Sequence, residues 1–439
     1  MSDIPLLLDP QAGSVSLTEE GRTFRRSILP GGIRLLTEFV PYQRSASIGF
    51  WVGTGSRDEG AQTRGSTHFL EHLLFKGTHT RDARQIAERI DFLGGGFNAA
   101  TAKQYTCYYG HVFDDDVAAG VELLSDMVMN SRLTPEDMEM ERGVILEELA
   151  MYNDDASDVA QETIPTQVFT DHPLALPIGG TKESVAQLTH HNLVHHYGAN
   201  YRSQELVITA AGNIDHAALG DMIVAQAARF GWNTEEGQLP EPRRRTRDIA
   251  YAPGSSRFEL RNVEQAVVVV GMPGLGLFDE RRPALFALNA ILGGGTSSRL
   301  FQQIREQRGL AYSTYSYPVM FPEGGMFGLY AGCAPHNAAD VAGLLGDTLD
   351  DLAHSGVTAD EVESAYRRVR ADVVFDAERL SSHMNRLGQA ELIRGTYLTQ
   401  AETLARSRAV TAGEVTELAR ELAAGPRSLC IVGPSETRR

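Results

Sequence analysis

The segment Ser66-Thr-His-Phe-Leu-Glu-His-Leu-Leu74 sets two histidines and a glutamate inside an apolar run. His68 and His72 are four apart, so on a helix both imidazoles leave from nearly the same side and can converge on one ion. Glu71 precedes His72 by one residue and lies close to that side. The resulting HxxEH is the reversed spelling of HExxH, in which two histidines hold one metal and the glutamate acts on its water. A catalytic zinc takes three protein ligands and keeps a fourth position for water. A further ligand must therefore come from elsewhere, or the segment is a packed helix with two hydrogen-bonded histidines.

The stretch Glu141-Arg-Gly-Val-Ile-Leu-Glu-Glu-Leu149 offers that ligand. Val144, Ile145 and Leu149 are expected to form its buried face. Glu141 and Glu148 stand two turns apart and share a side, whereas Glu147 is rotated by about 100° from Glu148. The phase favours Glu148 over Glu147 as the third ligand. His191 and His195 are also four apart, in His190-His-Asn-Leu-Val-His-His196, but no carboxylate has a matching phase, and a surface helix is expected there.

The elements that must position these groups come twice. Thr134-Pro-Glu-Asp137 is a helix start, with Thr134 as N-cap, Pro135 at the first helical position and Asp137 as capping-box acid. Thr358-Ala-Asp-Glu361 repeats it at an offset of 224 residues (358 − 134). Leu206–Gly212 is likewise matched by Leu429–Gly433. Alternating or buried apolar runs predict strands at Ser47–Val52 and Ala266–Gly271, and helical periods predict helices at Asp82–Leu93 and Asp116–Met129. The fold class is α+β: two tandem homologous units, each a mixed sheet packed with helices, forming a clamshell around a central cleft. Residues 1–231 form the metal-bearing domain, 232–250 the linker, and 251–439 a second domain without metal. The 224-residue counterparts of Glu148 and Glu141 are Asp372 and Ala365, and Leu285–Leu292 holds no histidine, so one zinc per chain is expected.

Bulk properties narrow the partners. Net charge is −17, and the only basic cluster, Arg243-Arg-Arg-Thr-Arg247, sits in the linker, which argues against nucleic acid and anionic membranes. Cys107, Cys333 and Cys430 are too few and too scattered for a disulfide framework, which fits a reducing compartment. No run of 18 apolar residues and no secretory leader is visible, so a cytoplasmic location is expected.

Phe97-Asn-Ala-Ala-Thr-Ala102 reads as an edge strand near the histidine helix. Asn98 and Ala99 would there pair with an extended peptide through main-chain hydrogen bonds.

With HxxEH and Glu148, 75 residues lying between His72 and that glutamate, the chain resembles the pitrilysin family of zinc peptidases, the inverzincins. Within that family it resembles the branch of the mitochondrial processing peptidase β-subunit and its bacterial relatives. Gly55-Ser-Arg-Asp-Glu59, Phe75-Lys-Gly-Thr78, Phe97–Thr101, His172-Pro-Leu174, Gly179-Gly-Thr181 and Gly293–Leu300 carry the likeness further, from about Arg26 to Pro434. The resemblance implies that His68, His72 and Glu148 bind Zn2+, that Glu71 is the general base, and that Glu141 supports the site as a further catalytic glutamate. It also implies that Arg305 and Tyr312 reach across the cleft to the substrate, Tyr312 serving the oxyanion. The function implied is a metalloendopeptidase acting on extended or unfolded peptides of presequence or leader type. Such a chain is expected as a homodimer, with a heterodimer or a non-catalytic subunit as the alternative.

Overall fold

The repeat at 224 residues becomes two sheets of the same topology in the computed structural model, which describes residues 3–9, 13–19 and 21–438. The first half runs β1 (Ile4–Pro5), β2 (Val15–Glu19), β3 (Arg22–Ile28), β4 (Arg34–Phe39), β5 (Ser45–Val52), α1 (Ser66–Leu73), α2 (Ala83–Phe92), β6 (Gly96–Thr101) and β7 (Thr106–Phe113). It continues with α3 (Val117–Met129), α4 (Pro135–Asp154), α5 (Ala156–Val168), α6 (Lys182–Gln187), α7 (His190–Asn200), β8 (Leu206–Gly212) and α8 (His216–Arg229). The second half runs β9 (Ser256–Leu260), β10 (Ala266–Gly274), α9 (Arg282–Gly293), β11 (Ala311–Phe321), β12 (Gly324–Cys333), α10 (Ala338–Ser355) and α11 (Ala359–Asp376). It ends with α12 (Leu380–Gln389), β13 (Thr396–Tyr397), α13 (Gln400–Arg408), α14 (Ala412–Ala424) and β14 (Ser428–Gly433).

The seven-stranded sheet has the order β2-β3-β4-β8-β5-β7-β6, and the five-stranded sheet β9-β14-β10-β12-β11. From β4 onward the first order maps strand for strand onto the second. The directions agree as well: β4–β8 and β9–β14 are the parallel pairs, and the remaining shared pairs are antiparallel. Both predicted strand centres lie in the middle of a sheet, with Phe50, Trp51 and Val268 fully buried. The expectation of two tandem α+β units is what the fold shows.

The two units are laced together by an exchange of helices. α5, from the first half, packs on β10 and β14 of the second sheet, while α12, from the second half, packs on β8, β5 and β4 of the first. Shifting Ala156 by 224 gives position 380, the start of α12, so the exchanged helices are counterparts. Each carries its own core. Val159, Ile164 and Val168 join Val269, Met326 and Val432, and Met384 and Leu387 join Trp51, Leu36 and Val207. Small residues allow the approach. A Cβ on Gly388 of α12 would lie 2.4 Å from the Trp51 ring, and one on Gly271 of β10 would lie 2.5 Å from Ile164.

The arginine-rich linker is consumed by this lacing. Arg243 bonds Glu391, Arg244 bonds Glu205, Arg245 donates to the carbonyl of Pro322, and Arg247 to that of Asp171. Arg57 and Glu323, each about 5% exposed, form a 2.9 Å ion pair between the halves. Three local expectations need correction. Val144 is 49% exposed rather than buried, because α4 packs through Met138, Glu141 and Ile145. Asp137 takes the Thr134 hydroxyl and Arg132 instead of closing a capping box, although Thr134 does cap α4. The α2 and α3 helices begin one residue later than predicted, because Asp82 and Asp116 are their N-caps.

Candidate metal centre

Helix α1 is short, and its start is built by groups outside it. Gly65 precedes it in the left-handed region (φ 90°), where a side chain would also strike the Gly179 carbonyl. Glu59 then reaches in from the preceding loop and accepts the N–H groups of Gly65 and Thr67, both at 2.7 Å. These are among the N–H groups a helix start leaves without partners. Burial pushes the Glu59 carboxyl up to about 7 despite those two bonds. Phe69, Leu70 and Leu73 face the core, which turns His68, Glu71 and His72 away from it.

His68, His72 and Glu148 come together, each partly buried, with one ligand atom from each within 4.8 Å of the others. Among the described residues they form the only such group of three. Glu148 Oε2 stands 3.3 Å from His72 Nε2 and 3.8 Å from His68 Nε2. The rings themselves are 4.7 Å apart. That carboxylate oxygen is buried and has no hydrogen-bond partner, while Oε1 accepts the Tyr152 hydroxyl at 2.8 Å. A buried oxygen left bare between two imidazole nitrogens costs free energy unless a cation meets it. The donor set, two nitrogens and one carboxylate, is that of a catalytic zinc with one open position. The residues fit the ion.

Around this set lies a second layer. His72 Nδ1 is 2.9 Å from Glu141 Oε1, and Lys76 Nζ is 2.6 Å from the other oxygen of Glu141. Burial works against the Glu141 carboxylate, but His72 and Lys76 together hold it below the usual range. Burial and the neighbouring His72 lower the His68 pKa, which favours the neutral imidazole a metal needs. Glu71 takes the hydroxyl of Thr101, the last residue of β6. Glu147, as its phase predicted, is exposed.

β6 is the edge of its sheet, as expected for Asn98 and Ala99. The Ala99 side chain turns into the core and its N–H is taken, at 2.9 Å, by Asn98 Oδ1. Arg305 and Tyr312 also meet: the guanidinium lies 4.6 Å from the tyrosine ring centroid and donates to the Tyr312 carbonyl at 2.7 Å. Among the described residues no hydrogen bond or ion pair joins this pair to the metal cluster, and Tyr312, near the start of the edge strand β11, is 75% exposed.

Sequence reasoning overlooked the roles of Glu59, Lys76, Thr101 and Tyr152. Tyr152 had a signal, since it lies one turn beyond Glu148 on the same face. The other three act across turns between elements, where no periodicity points.

Comparison with known proteins gives residues 34–182 a match to the family profile described as insulinase (peptidase family M16), and residues 187–369 a match to the M16 inactive domain. An uncharacterized zinc protease of Streptomyces coelicolor is 42% identical over 417 residues, covering 95% of this chain and 91% of that one. The chain belongs to peptidase family M16. A Bacillus subtilis relative, also named an uncharacterized zinc protease, is 34% identical over 94% of this chain and 98% of its own. Solved structures share the fold. A Helicobacter pylori protease superposes with a TM-score of 0.85 at 18% identity, covering 94% of this chain and 99% of that one. An M16-like peptidase of Alicyclobacillus acidocaldarius gives 0.81 at 22%, covering 96% and 100%. The first matched M16 segment holds His68, Glu71, His72, Glu141 and Glu148, and the second holds Arg305 and Tyr312. No helix among the described residues is long and apolar enough to cross a membrane.

Proposed function

We propose that this chain is a zinc metalloendopeptidase that hydrolyses extended or unfolded peptides, with one zinc held by His68, His72 and Glu148. The observation that carries the reading is the bare Glu148 Oε2 facing both imidazole Nε2 atoms. When bound, zinc supplies a polarising charge for the scissile carbonyl and lowers the pKa of its water. Glu141 fixes the His72 ring through Nδ1 and so aims Nε2 at the metal position. Glu71, oriented by Thr101, takes the proton from the attacking water and returns it to the leaving amine.

Substrate would lie along β6. Its backbone pairs with the edge once Asn98 Oδ1 releases the Ala99 N–H, which ties binding to the main chain and leaves sequence demands low. Because Thr101 ends the same strand, the element that aligns the peptide also holds Glu71. Leader-type peptides satisfy this requirement, being unfolded when presented. Extended peptides should be cut and compact domains spared.

The Arg305–Tyr312 pair then acts on a second copy. Tyr312 is exposed, Arg305 is stacked on its ring, no bond joins the pair to its own chain's cluster, and the laced halves oppose an internal closure. A homodimer, and a cytoplasmic site of action, complete this reading. Chelation should abolish cleavage of a quenched fluorescent peptide, and zinc should restore it. Mixing Glu71→Gln chains with Tyr312→Phe chains should regain activity that neither has alone. Failure of zinc to restore cleavage would remove the enzyme assignment, and failure of mixing would remove the trans arrangement.

A further inference from the structure

A cavity of about 1110 Å3 lies in the second half, between the loop leading into α9 and the helices α13 and α14. None of its lining residues belongs to the metal cluster, to β6 or to the Arg305–Tyr312 pair. Leu277, Phe286, Leu398 and Leu418 give it apolar walls. Against these walls stand Arg282, the first residue of α9, and Arg394, in the turn that extends the exchanged helix α12. The Nε atoms of both are buried without a partner, and neither guanidinium forms an ion pair or side-chain hydrogen bond among the described residues.

This arrangement is unfavourable as it stands. Burial lowers the pKa of Arg394, and its charged neighbours, Arg282 and Arg386, lower it further. For Arg282, burial and then Arg406 act the same way, partly offset by Asp3 and Asp279. The cavity's nearby carboxylates are engaged elsewhere. Asp3 and Glu402 hold Arg406, Asp279 holds Arg281, and Glu414 caps the start of α14. Glu280 and Glu417 are exposed. Arg282 and Arg394 are half-buried with their Nε atoms sealed, and a sealed guanidinium nitrogen without an acceptor destabilises the fold. Two bare guanidiniums beside apolar walls match an anion that brings its own charge and an apolar body, with the fork geometry suited to carboxylate or phosphate oxygens.

We infer that this cavity is a binding site for a small amphipathic anion, whose carboxylate or phosphate head lies between Arg282 and Arg394 and whose apolar part lies against Leu277, Phe286, Leu398 and Leu418. The site is independent of the zinc reading.

Isothermal titration of the zinc-loaded chain with octanoate, octyl phosphate and 1-octanol, the anions below their micellar concentrations and the alcohol below its solubility limit, tests it. Saturable binding of at least one anion is expected, and the stronger of the two identifies the head group. 1-Octanol should not bind measurably. Arg394→Met should weaken the anion at least tenfold and raise the melting temperature of the ligand-free chain, because a bare charge is removed. Arg282→Gln, at a half-buried position, should show the same weakening and stands in should the first variant not fold. Anion binding unchanged in these variants, as binding at the metal would be, overturns the proposal. So do equal binding of 1-octanol and the absence of binding by either anion.

Discussion

Glu141 holds His72 from behind: its Oε1 lies 2.9 Å from Nδ1, which leaves Nε2 facing Glu148 at 3.3 Å. The ring is thus fixed in the tautomer a metal needs, by a carboxylate that is itself neutralised by Lys76. Glu141→Gln keeps the shape but weakens the acceptor. The expected outcome is a loss in zinc affinity of about 10- to 100-fold. Competition with a chromogenic chelator measures it, and unchanged affinity would show that the contact plays no part in holding metal.

Glu59 is the external cap of α1, accepting from Gly65 and Thr67 just ahead of His68. Glu59→Ala leaves two N–H groups without their acceptor, at a cost of about 1–3 kcal/mol. Thermal unfolding should show the lower stability. Equilibrium dialysis should show weaker zinc binding, since the first ligand sits in the turn that frays. A stability loss with zinc affinity intact would confine Glu59 to the fold.

The helix exchange has a pH signature. Burial opposes the charge on Glu38 of β4, but His383 at 3.0 Å and Arg386 at 2.8 Å, both on α12, outweigh it and hold its pKa at about 2. A depressed carboxyl pKa stabilises the fold above the ordinary value and loses that contribution as pH falls toward the folded one. Wild type should therefore exceed Glu38→Gln by about 3 kcal/mol near neutral pH, with the gap closing between about pH 5 and pH 2. Urea unfolding of both proteins across that range gives the difference, and a constant gap would contradict it.

Gly388 and Gly343 are both helical glycines, with opposite expectations. A Cβ at Gly343 of α10 meets nothing within 4 Å, so Gly343→Ala should stabilise by about 1 kcal/mol through helix propensity. A Cβ at Gly388 strikes the Trp51 ring, which is fully buried and has no room to yield. There the overpacking cost of about 1–3 kcal/mol exceeds the propensity gain, and the melting temperature should fall. A rise for both variants would mean that α12 is less closely seated than its core residues require.

Much of the metal centre and of the duplication is legible in the amino-acid sequence. The spacing of His68, Glu71 and His72 and the phase of Glu148 over Glu147 are properties of helices, and helices preserve them. The duplication is visible because caps such as Thr134 and Thr358 are local chemistry. The exchange of α5 and α12 is not legible, since an amphipathic helix announces that it has an apolar face without naming the sheet that covers it. The exposure of Val144 escapes the pattern for a related reason: periodicity gives a stripe, and packing decides its edges. Glu59 and Thr101 reach their partners across turns. Which copy's cluster Tyr312 serves is not legible either, because resemblance transfers a residue's role and leaves the copy open.

The most direct test pairs metal analysis with peptide cleavage on wild type and Glu71→Gln. The account predicts one zinc per chain in both proteins, cleavage of an extended quenched peptide by wild type, and a loss of at least about a hundredfold in the metal-replete variant. Equal cleavage by the two proteins, or a folded wild type that binds no zinc at His68, His72 and Glu148, would contradict it.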